Sequence, residues 1–397
     1  MLKGKTIILG VTGSIAAYKI ASLASLLKKN HCDVHVIMTK NGAEFITPLT
    51  FETITGNKCI TDTFDRCFDF DVKHISLAKK ADLILVAPAT ANVIAKMAVG
   101  IADDMLTTTI LASTAPKMVA PTMNTNMYNN RITQDNLQIL RDYGVKVIEP
   151  AVGLLACNDV GAGKMPEPEV LFEHILYELA MNKDMEGKSV VVTAGPTIEP
   201  IDPVRFISNH STGKMGYAIA KVCMLRGAKV TLISGKTQLA PPMFTEFIPV
   251  LSAQEMHDQV LGAAKSADFI FKAAAVADYT PEVTYENKVK KQEGDLAVPL
   301  KRTTDILKQL GEQKPKKQFI CGFSMETENM IENSKAKLKK KNLDLIVANN
   351  LKEAGAGFGH DTNIVTLIDE TSVTELPCLS KFQVAVAIVD EAVKRGS

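Results

Sequence analysis

Three side chains in the first half of the chain could move protons or hold a charged ligand. His74 opens a short helical stretch, Lys73-His74-Ile-Ser-Leu, and imidazole is the side chain that titrates near neutral pH. Asn124 follows the strand-like run 117–121, and open α/β sheets bind ligands just beyond the C-terminal ends of their strands. Cys157 lies in a run from Gly153 to Pro168 that also holds Gly161, Gly163 and Pro166. Those breakers predict a mobile loop in which the thiol is exposed and able to donate a proton. Each residue also has a plainer reading. A lone histidine at a helix start is ordinarily structural, and a cysteine commonly packs as a small hydrophobe.

The chemistry of the second half is basic. Asp278 ends the run Ala273-Ala274-Ala275-Val276-Ala277-Asp278-Tyr279, and Lys288, Lys290 and Lys291 follow shortly after. A predicted helix over 330–341 carries lysines at 335, 337, 339, 340 and 341. For most of these the plain reading is a solvated helix face. Ammonium groups near a strand-end cleft also suit a triphosphate. The successive alanines let a backbone or a planar ligand come close, with Asp278 accepting a hydrogen bond.

Two strand–turn–helix units must position these groups. In the first, residues 5–10 form a strand, Val11-Thr-Gly13-Ser14 a tight turn, and Ile15 to Lys29 an amphipathic helix. The second strand, 34–38, ends in Thr39-Lys40, without the carboxylate that would hold an NAD ribose. Gly13 and Ser14 at a helix start suit a phosphate monoester such as that of flavin mononucleotide, FMN. A generic α/β turn is the alternative reading. Residues 81–87 form a further strand, followed by Pro88-Ala89-Thr90-Ala91-Asn92 and another helix. Residues 41–71 read as irregular, and a helix over 169–180 closes the first half.

The second unit begins at Gly187, after a polar linker at 181–187. Residues 188–194 form a buried strand, a loop runs from Gly195 to Gly216, and a helix covers 217–226 before a strand at 229–234. That loop is far longer than the roughly 2–6 residues usual for such a connection, and excess loop length commonly goes with function. Two labels fail. Gly213-Lys214 is followed by Met215, with Ser208 where a Walker loop needs its first glycine, and the strand ending at Ser234 has no ribose-binding carboxylate. Strands are also expected at 268–273, 319–323, 343–348 and 363–368, and Gly355–Gly359 reads as a loop.

At 397 residues, with 45 basic and 44 acidic side chains, the chain is expected to form two domains. No net field draws it to nucleic acid or membrane. Seven cysteines without a Cys-x-x-Cys pair suggest reduced thiols rather than a disulfide frame. No uncharged apolar run reaches the ~18–20 residues of a membrane helix, and the N-terminus runs straight into a strand. The expectation is a cytoplasmic α/β protein.

The motifs taken together resemble the bifunctional phosphopantothenoylcysteine decarboxylase/phosphopantothenate–cysteine ligase family of coenzyme A biosynthesis, over essentially the whole chain. Gly13-Ser14-Ile15-Ala-Ala-Tyr18-Lys19, His74, Pro88-Ala-Thr-Ala-Asn92, Pro121-Thr-Met-Asn124-x-x-Met127 and Ala156-Cys157-Asn158 look like the decarboxylase motifs. Gly195-Pro196-Thr-x-Glu199-Pro200-Ile-Asp202-x-Val-Arg205, Asn209-x-Ser211-x-Gly213-x-Met215-Gly216, Ala273–Tyr279 and Lys288-x-Lys290-Lys291 look like those of the ligase. Val93 and Tyr128 stand where many relatives carry threonine and tryptophan.

The resemblance implies a flavodoxin-like FMN decarboxylase domain over 1–181 and a Rossmann-like α/β ligase domain over 187–397. In the first, FMN would contact Gly13, Ser14, Ile15, Thr39, Pro88, Ala89, Thr90 and Asn92. The cysteinyl thiol of the substrate would be oxidised, CO₂ lost, and the product reduced. His74 would serve as the acid/base group, Asn124 as the holder of the substrate carboxylate, and Cys157 as the proton donor. In the second, CTP with Mg²⁺ would activate 4′-phosphopantothenate as an acyl-cytidylate that cysteine attacks. The implied CTP contacts are Ala273, Ala274, Ala275, Asp278, Lys288, Thr304, Asp305, Ile306, Leu307, Phe323, Lys337 and Lys341. Asn209 would act in converting the acyl-cytidylate. Trimers of the first domain joined by dimers of the second would close a homo-oligomeric dodecamer. A flavin-binding regulator without turnover is disfavoured by the full set of His74, Asn124 and Cys157. A peptide cysteine decarboxylase or a prenyltransferase leaves residues 187–397 unexplained.

Overall fold

The computed structural model describes residues 1–64, 72–155, 159–290, 297–326, 329–350 and 360–396. The chain divides into two compact units, Met1–Met181 and Asn182–Ser397.

The first unit is built on a parallel sheet of β1 (Thr6–Val11), β2 (Asp33–Met38), β3 (Leu83–Ala89), β4 (Lys117–Pro121) and β5 (Lys146–Val147), in the order β2-β1-β3-β4-β5. This is the flavodoxin-like order, which reverses between β1 and β3. Every residue of β1 and β3 is buried, as expected of parallel strands covered on both faces. The helices are α1 (Ala17–Lys29), α2 (Lys40–Ala43), α3 (Pro48–Thr55), α4 (Lys73–Lys80), α5 (Ala91–Val99), α6 (Met105–Ala112), α7 (Thr125–Asn129), α8 (Arg131–Asp142) and α9 (Pro168–Leu179). Ile20, Leu23, Ala24 and Leu27 give α1 one fully buried stripe. Each such Leu or Ile contributes about 1.5–3 kcal/mol by leaving water.

Two stretches differ from the sequence reading. The segment read as irregular contains α2 and α3. Pro48 occupies the first turn of α3, and Gly56, at φ +72°, ends it in the left-handed conformation. Four- and eight-residue helices are too short for apolar periodicity to show. The predicted mobile loop is largely a ribbon, β6 (Ala151–Leu154) paired antiparallel to β7 (Val160–Lys164). Its glycines permit close docking rather than movement. A Cβ on Gly161 would lie 2.6 Å from Thr125 Oγ1, and one on Gly163 would lie 2.2 Å from Met123 O. Cys157, with Ala156 and Asn158, lies outside the described residues, as do Lys291 and Gly355–Gly359.

The second unit holds β8 (Ser189–Ala194), β9 (Glu199–Pro200), β10 (Phe206–Ile207), β11 (Lys229–Ser234), β12 (Glu246–Pro249), β13 (Phe269–Lys272), β14 (Tyr279–Pro281), β15 (Leu300–Arg302), β16 (Phe319–Glu326), β17 (Leu345–Asn350), β18 (Thr362–Asn363), β19 (Val365–Ile368), β20 (Val373–Glu375) and β21 (Leu379–Ser380). Its main sheet runs β12-β11-β8-β13-β16-β17-β19-β20. The first six are parallel, and β19 and β20 extend the edge antiparallel. Within the parallel part this is the Rossmann order, with its reversal between β8 and β13. The helices are α10 (Lys214–Leu225), α11 (Ala253–Ala264), α12 (Ile306–Gln313), α13 (Met330–Lys340) and α14 (Lys381–Gly396). Met256, Val260, Ile306, Leu310 and Leu338 from α11, α12 and α13 pack one face of the sheet over Val191, Ile270, Ile320 and Ile346.

Helix α10 starts three residues earlier than its apolar spacing predicts, because Gly216 belongs to its first turn. A Cβ there would lie 2.6 Å from Ala194 Cβ and 2.7 Å from Thr193 O. Only a glycine lets α10 sit that close to β8. Among the described residues no helix is long and apolar enough to cross a membrane.

Candidate functional site

In the first unit the sheet's C-terminal edge gathers most of the residues singled out above. Thr12 is fully buried; its hydroxyl donates to Pro88 O at 2.6 Å and accepts from Thr90 N at 3.1 Å. This clasps the end of β1 to the end of β3 at the point where strand order reverses. Gly13 and Ser14 follow within the turn, and no side chain caps α1. A Cβ on Gly13 would lie 2.6 Å from Asn41 Cβ, so the turn needs glycine and leaves a cradle of backbone N–H groups. Thr39 caps α2 by accepting from Gly42 N at 3.1 Å, and Thr90 caps α5 by accepting from Val93 N at 3.4 Å. Pro88 and Ala89 are buried in β3 and offer backbone only, whereas Asn92 and Ile15 are exposed. His74 is the second residue of α4 and half-buried. Because α4 leads back to the start of β3, its N-terminal turn lies at this same edge.

Asn124 caps α7, its Oδ1 accepting from Asn126 N at 2.8 Å and its Nδ2 donating to Asp159 Oδ2 at 2.7 Å. The amide is therefore tied to the turn end of the β6–β7 ribbon, two residues in sequence from Cys157. Met123 N also donates to Gly163 O at 3.1 Å, a second tie between the ribbon and the Asn124 turn.

In the second unit a cleft of about 400 Å³ lies at the C-terminal edge, over the β8/β13 reversal. Its lining includes Ala273, Ala274, Ala275, Asp278, Thr304, Asp305, Ile306, Leu307, Phe323, Lys337 and Lys341, with Ser211–Gly216 from the start of α10. Eleven of the twelve implied nucleotide contacts thus share one cavity. Ile306 and Leu307 are buried in the core, so toward a ligand they present backbone. Lys337 Nζ donates to Phe323 O at 3.0 Å, and Lys341 Nζ meets Asp305 Oδ2 at 2.7 Å. Burial opposes the ionisation of Asp305, but the Lys341 ammonium and the Lys308 N–H hold its carboxyl below the usual range. Lysines 335, 339 and 340 are exposed, as the solvated-face reading expects.

Lys288 does not line the cleft. It is exposed, in a segment held through Val289, whose N–H donates to Asp202 Oδ2 at 3.1 Å and whose carbonyl accepts from Arg205 at 2.8 Å. Asp202 is buried, and the Arg205 guanidinium holds its carboxyl well below the ordinary range. Asn209 sits beside the cleft, its Nδ2 donating to Ala275 O at 2.7 Å and its Oδ1 accepting from Ser211 N at 2.9 Å.

The loop from Gly195 to Gly213 conceals a glycine fingerprint. Gly195 and Gly213 both adopt positive φ, +73° and +78°, and a Cβ on Gly213 would lie 3.2 Å from Gly195 N. With Gly216 closing α10 onto β8, these three take the places of the glycines in a dinucleotide-binding turn. The intervening residues form the β9–β10 hairpin and zip onto Ala275 and Ala277. The sequence shows Gly-x-x-Gly but not the first glycine, which lies 18 positions upstream. Lys272 was missed altogether: it ends β13, lines the cleft, and burial pushes its ammonium down to about 8.

Residues 1–180 match the Flavoprotein family, and residues 185–395 match the family described as DNA/pantothenate metabolism flavoprotein C-terminal domain. The coenzyme A biosynthesis bifunctional protein CoaBC of Bacillus subtilis (strain 168) is 48% identical over 397 residues, 98% of this chain and 97% of that one. The protein of the same name from Haemophilus influenzae is 42% identical over 394 residues, 99% of this chain and 98% of that one. The chain belongs to this bifunctional family. It is an enzyme of coenzyme A biosynthesis in which a flavoprotein decarboxylase half is joined to a ligase half. A crystal structure described as the C-terminal domain of CoaBC is 42% identical, covering 54% of this chain and 97% of its own, with a TM-score of 0.46.

The family's two halves coincide with the two units. A flavin fits the first: the Gly13 turn packs against Asn41, and the helix starts that follow β1, β2 and β3 bring backbone N–H groups and the Thr39, Thr90 and Asn92 side chains to one edge. Mg²⁺ fits the second as a companion of a triphosphate. Among the described residues no three His, Cys, Asp or Glu side chains cluster, and Mg²⁺ bound with phosphates needs only one or two protein carboxylates. Asp278, exposed on the cleft wall, is such a group.

Proposed function

We propose that the second unit condenses 4′-phosphopantothenate with cysteine at the expense of CTP, and that the first decarboxylates the resulting 4′-phosphopantothenoylcysteine to 4′-phosphopantetheine with FMN as cofactor. What carries the reading is the single cleft over the β8/β13 reversal, which unites eleven residues of the family's nucleotide motifs. The α10 N-terminus and the lysines of that cleft favour a polyphosphate. Asp278 would hold the Mg²⁺ that accompanies it. Attack of the 4′-phosphopantothenate carboxylate on the α-phosphorus expels pyrophosphate and leaves an acyl-cytidylate. Lys288, although outside the cleft lining on its tethered segment, is the motif lysine that would supply positive charge as the pyrophosphate departs. Asn209, held between Ala275 and Ser211, orients the activated carbonyl for the cysteine amine.

In the first unit the Gly13–Ser14 turn would hold the flavin phosphate, and Thr39, Thr90 and Asn92 would contact the rest of the cofactor. A bound flavin supplies reversible two-electron oxidation of the substrate's cysteinyl sulfur. Asn124 donates to the carboxylate that leaves as CO₂. His74 takes and returns protons at the reacting cysteinyl group, and Cys157 protonates carbon in the final reduction. Exposed Ile15, Tyr18 and Met127 suit a site completed between subunits, in keeping with trimers joined by dimers. The setting is cytoplasmic.

The boundary at 181 supplies the test. A fragment of residues 1–181 should purify yellow and decarboxylate 4′-phosphopantothenoylcysteine without CTP, as followed by absorbance and CO₂ release. A soluble, colourless, inactive fragment contradicts the assignment of the flavin to this half.

A further inference from the structure

Lys272 is a half-buried lysine at the end of an otherwise apolar strand, Phe269–Lys272, directly at the β8/β13 reversal. Its neighbours Phe269, Ile270 and Phe271 are buried, so the side chain emerges where the core ends and the cleft begins. Strand alternation places it on the same face as Ile270, toward α12 and α13. The charged groups around it are the Lys337 and Lys341 ammoniums and the Asp305 and Asp278 carboxylates. Lys214 and Lys381 line the same cleft. Lys341 is paired with Asp305, and Lys337 donates to Phe323 O. Lys272 Nζ, by contrast, reaches the Ala274 carbonyl at a long 3.4 Å. A desolvated ammonium with two others nearby is costly unless an anion meets it. An incoming anion relieves both the desolvation and the repulsion.

We infer that Lys272 is a phosphate-contacting residue of the ligase cleft, its ammonium meeting the negative charge of the bound nucleoside triphosphate. The inference rests on the nucleotide reading of this cleft and adds to it a residue and a coupling. In the free protein burial, with Lys337 and Lys341 alongside, lowers Lys272 to about 8. A bound polyphosphate favours the charged form and raises it. The sign follows from linkage: the ligand prefers the protonated lysine, so affinity is full below the free-state value and falls as pH rises through it. Above that value, binding takes up a proton.

The test is calorimetric titration of the full chain with CTP and Mg²⁺ from about pH 7 to about pH 9, in two buffers of different ionisation heat, on wild type, Lys272→Met and Lys272→Arg. Wild type should weaken by up to about tenfold per pH unit above about pH 8 and take up a proton on binding. Lys272→Met should bind at least ~10-fold more weakly at about pH 7, with that slope and uptake lost. Lys272→Arg, charged throughout, should recover most of the affinity without the slope. Binding by Lys272→Met with wild-type affinity and slope overturns the role of Lys272 and leaves the cleft assignment standing. Retention of the slope in Lys272→Arg also overturns it. Failure of wild type to bind CTP at any pH overturns the cleft assignment and this inference together.

Discussion

Replacing His74 with asparagine is expected to leave a yellow protein that scarcely releases CO₂. The substitution keeps a polar side chain of similar reach at the second position of α4 and removes the titratable ring. Helix α4 itself rests on buried Leu77 and Ala78 and on the Ser113 hydroxyl, which donates to Ala78 O at 2.9 Å, none of which the change touches. The turns at the ends of β1, β2 and β3, where the flavin is proposed to bind, are likewise untouched, so flavin content should match wild type. A fall of ~10³-fold in decarboxylation corresponds to about 4 kcal/mol of barrier, within reach of the loss of one acid/base group. Rapid-quench CO₂ release with 4′-phosphopantothenoylcysteine reads the effect directly. Near-normal release would return His74 to the plain structural role of a helix-start histidine.

Asn209→Asp is expected to stall the ligase after its first step. The Asn209 amide now donates to Ala275 O at 2.7 Å while its oxygen accepts from Ser211 N. A carboxylate can keep the second bond but turns an acceptor toward the Ala275 carbonyl, so the loop must shift or take up charge. The lysine-bearing cleft is unchanged, and pyrophosphate should still be released. Transfer of the activated acyl group to cysteine should fall by ~10²-fold, about 2.7 kcal/mol, the scale on which one orienting polar group acts. Lys288→Gln should do the opposite, abolishing pyrophosphate release even without cysteine. Quenched chromatography with labelled CTP separates the two variants. Accumulation of acyl-cytidylate in Lys288→Gln, or its absence from Asn209→Asp, would invert the roles.

Much of this architecture is legible along the chain, because a buried parallel strand is a local signal. Thr6–Val11 and Ser189–Ala194 are β-branched or apolar along nearly their whole length, as parallel strands covered on both faces are. His74 and Asn124, proposed as acid/base group and carboxylate holder, stand at strand and helix ends that the same signal predicts. What was not legible depends on residues far apart in sequence. Gly195 and Gly213 form one turn only after the β9–β10 hairpin has folded between them, so no short motif connects them. Gly161 and Gly163 look like loop residues until the 123–125 segment packs against them. The functional half of the lysine-rich helix is a matter of rotation: Lys337 and Lys341 face the cleft one turn apart, while Lys339 and Lys340 face water. Lys272 reads as the polar end of a strand, and its burial comes from α12 and α13, helices that enter the chain more than thirty residues later.

The most direct test of the whole account follows the carboxyl carbon of cysteine. The full-length protein would be given carboxyl-labelled cysteine, 4′-phosphopantothenate and MgCTP, with labelled CO₂ and pyrophosphate measured together. The account predicts CTP-dependent CO₂ release that approaches one CO₂ for each pyrophosphate at completion and vanishes when either CTP or 4′-phosphopantothenate is omitted. Labelled CO₂ appearing without CTP, or pyrophosphate formed with no CO₂ following it, would contradict it.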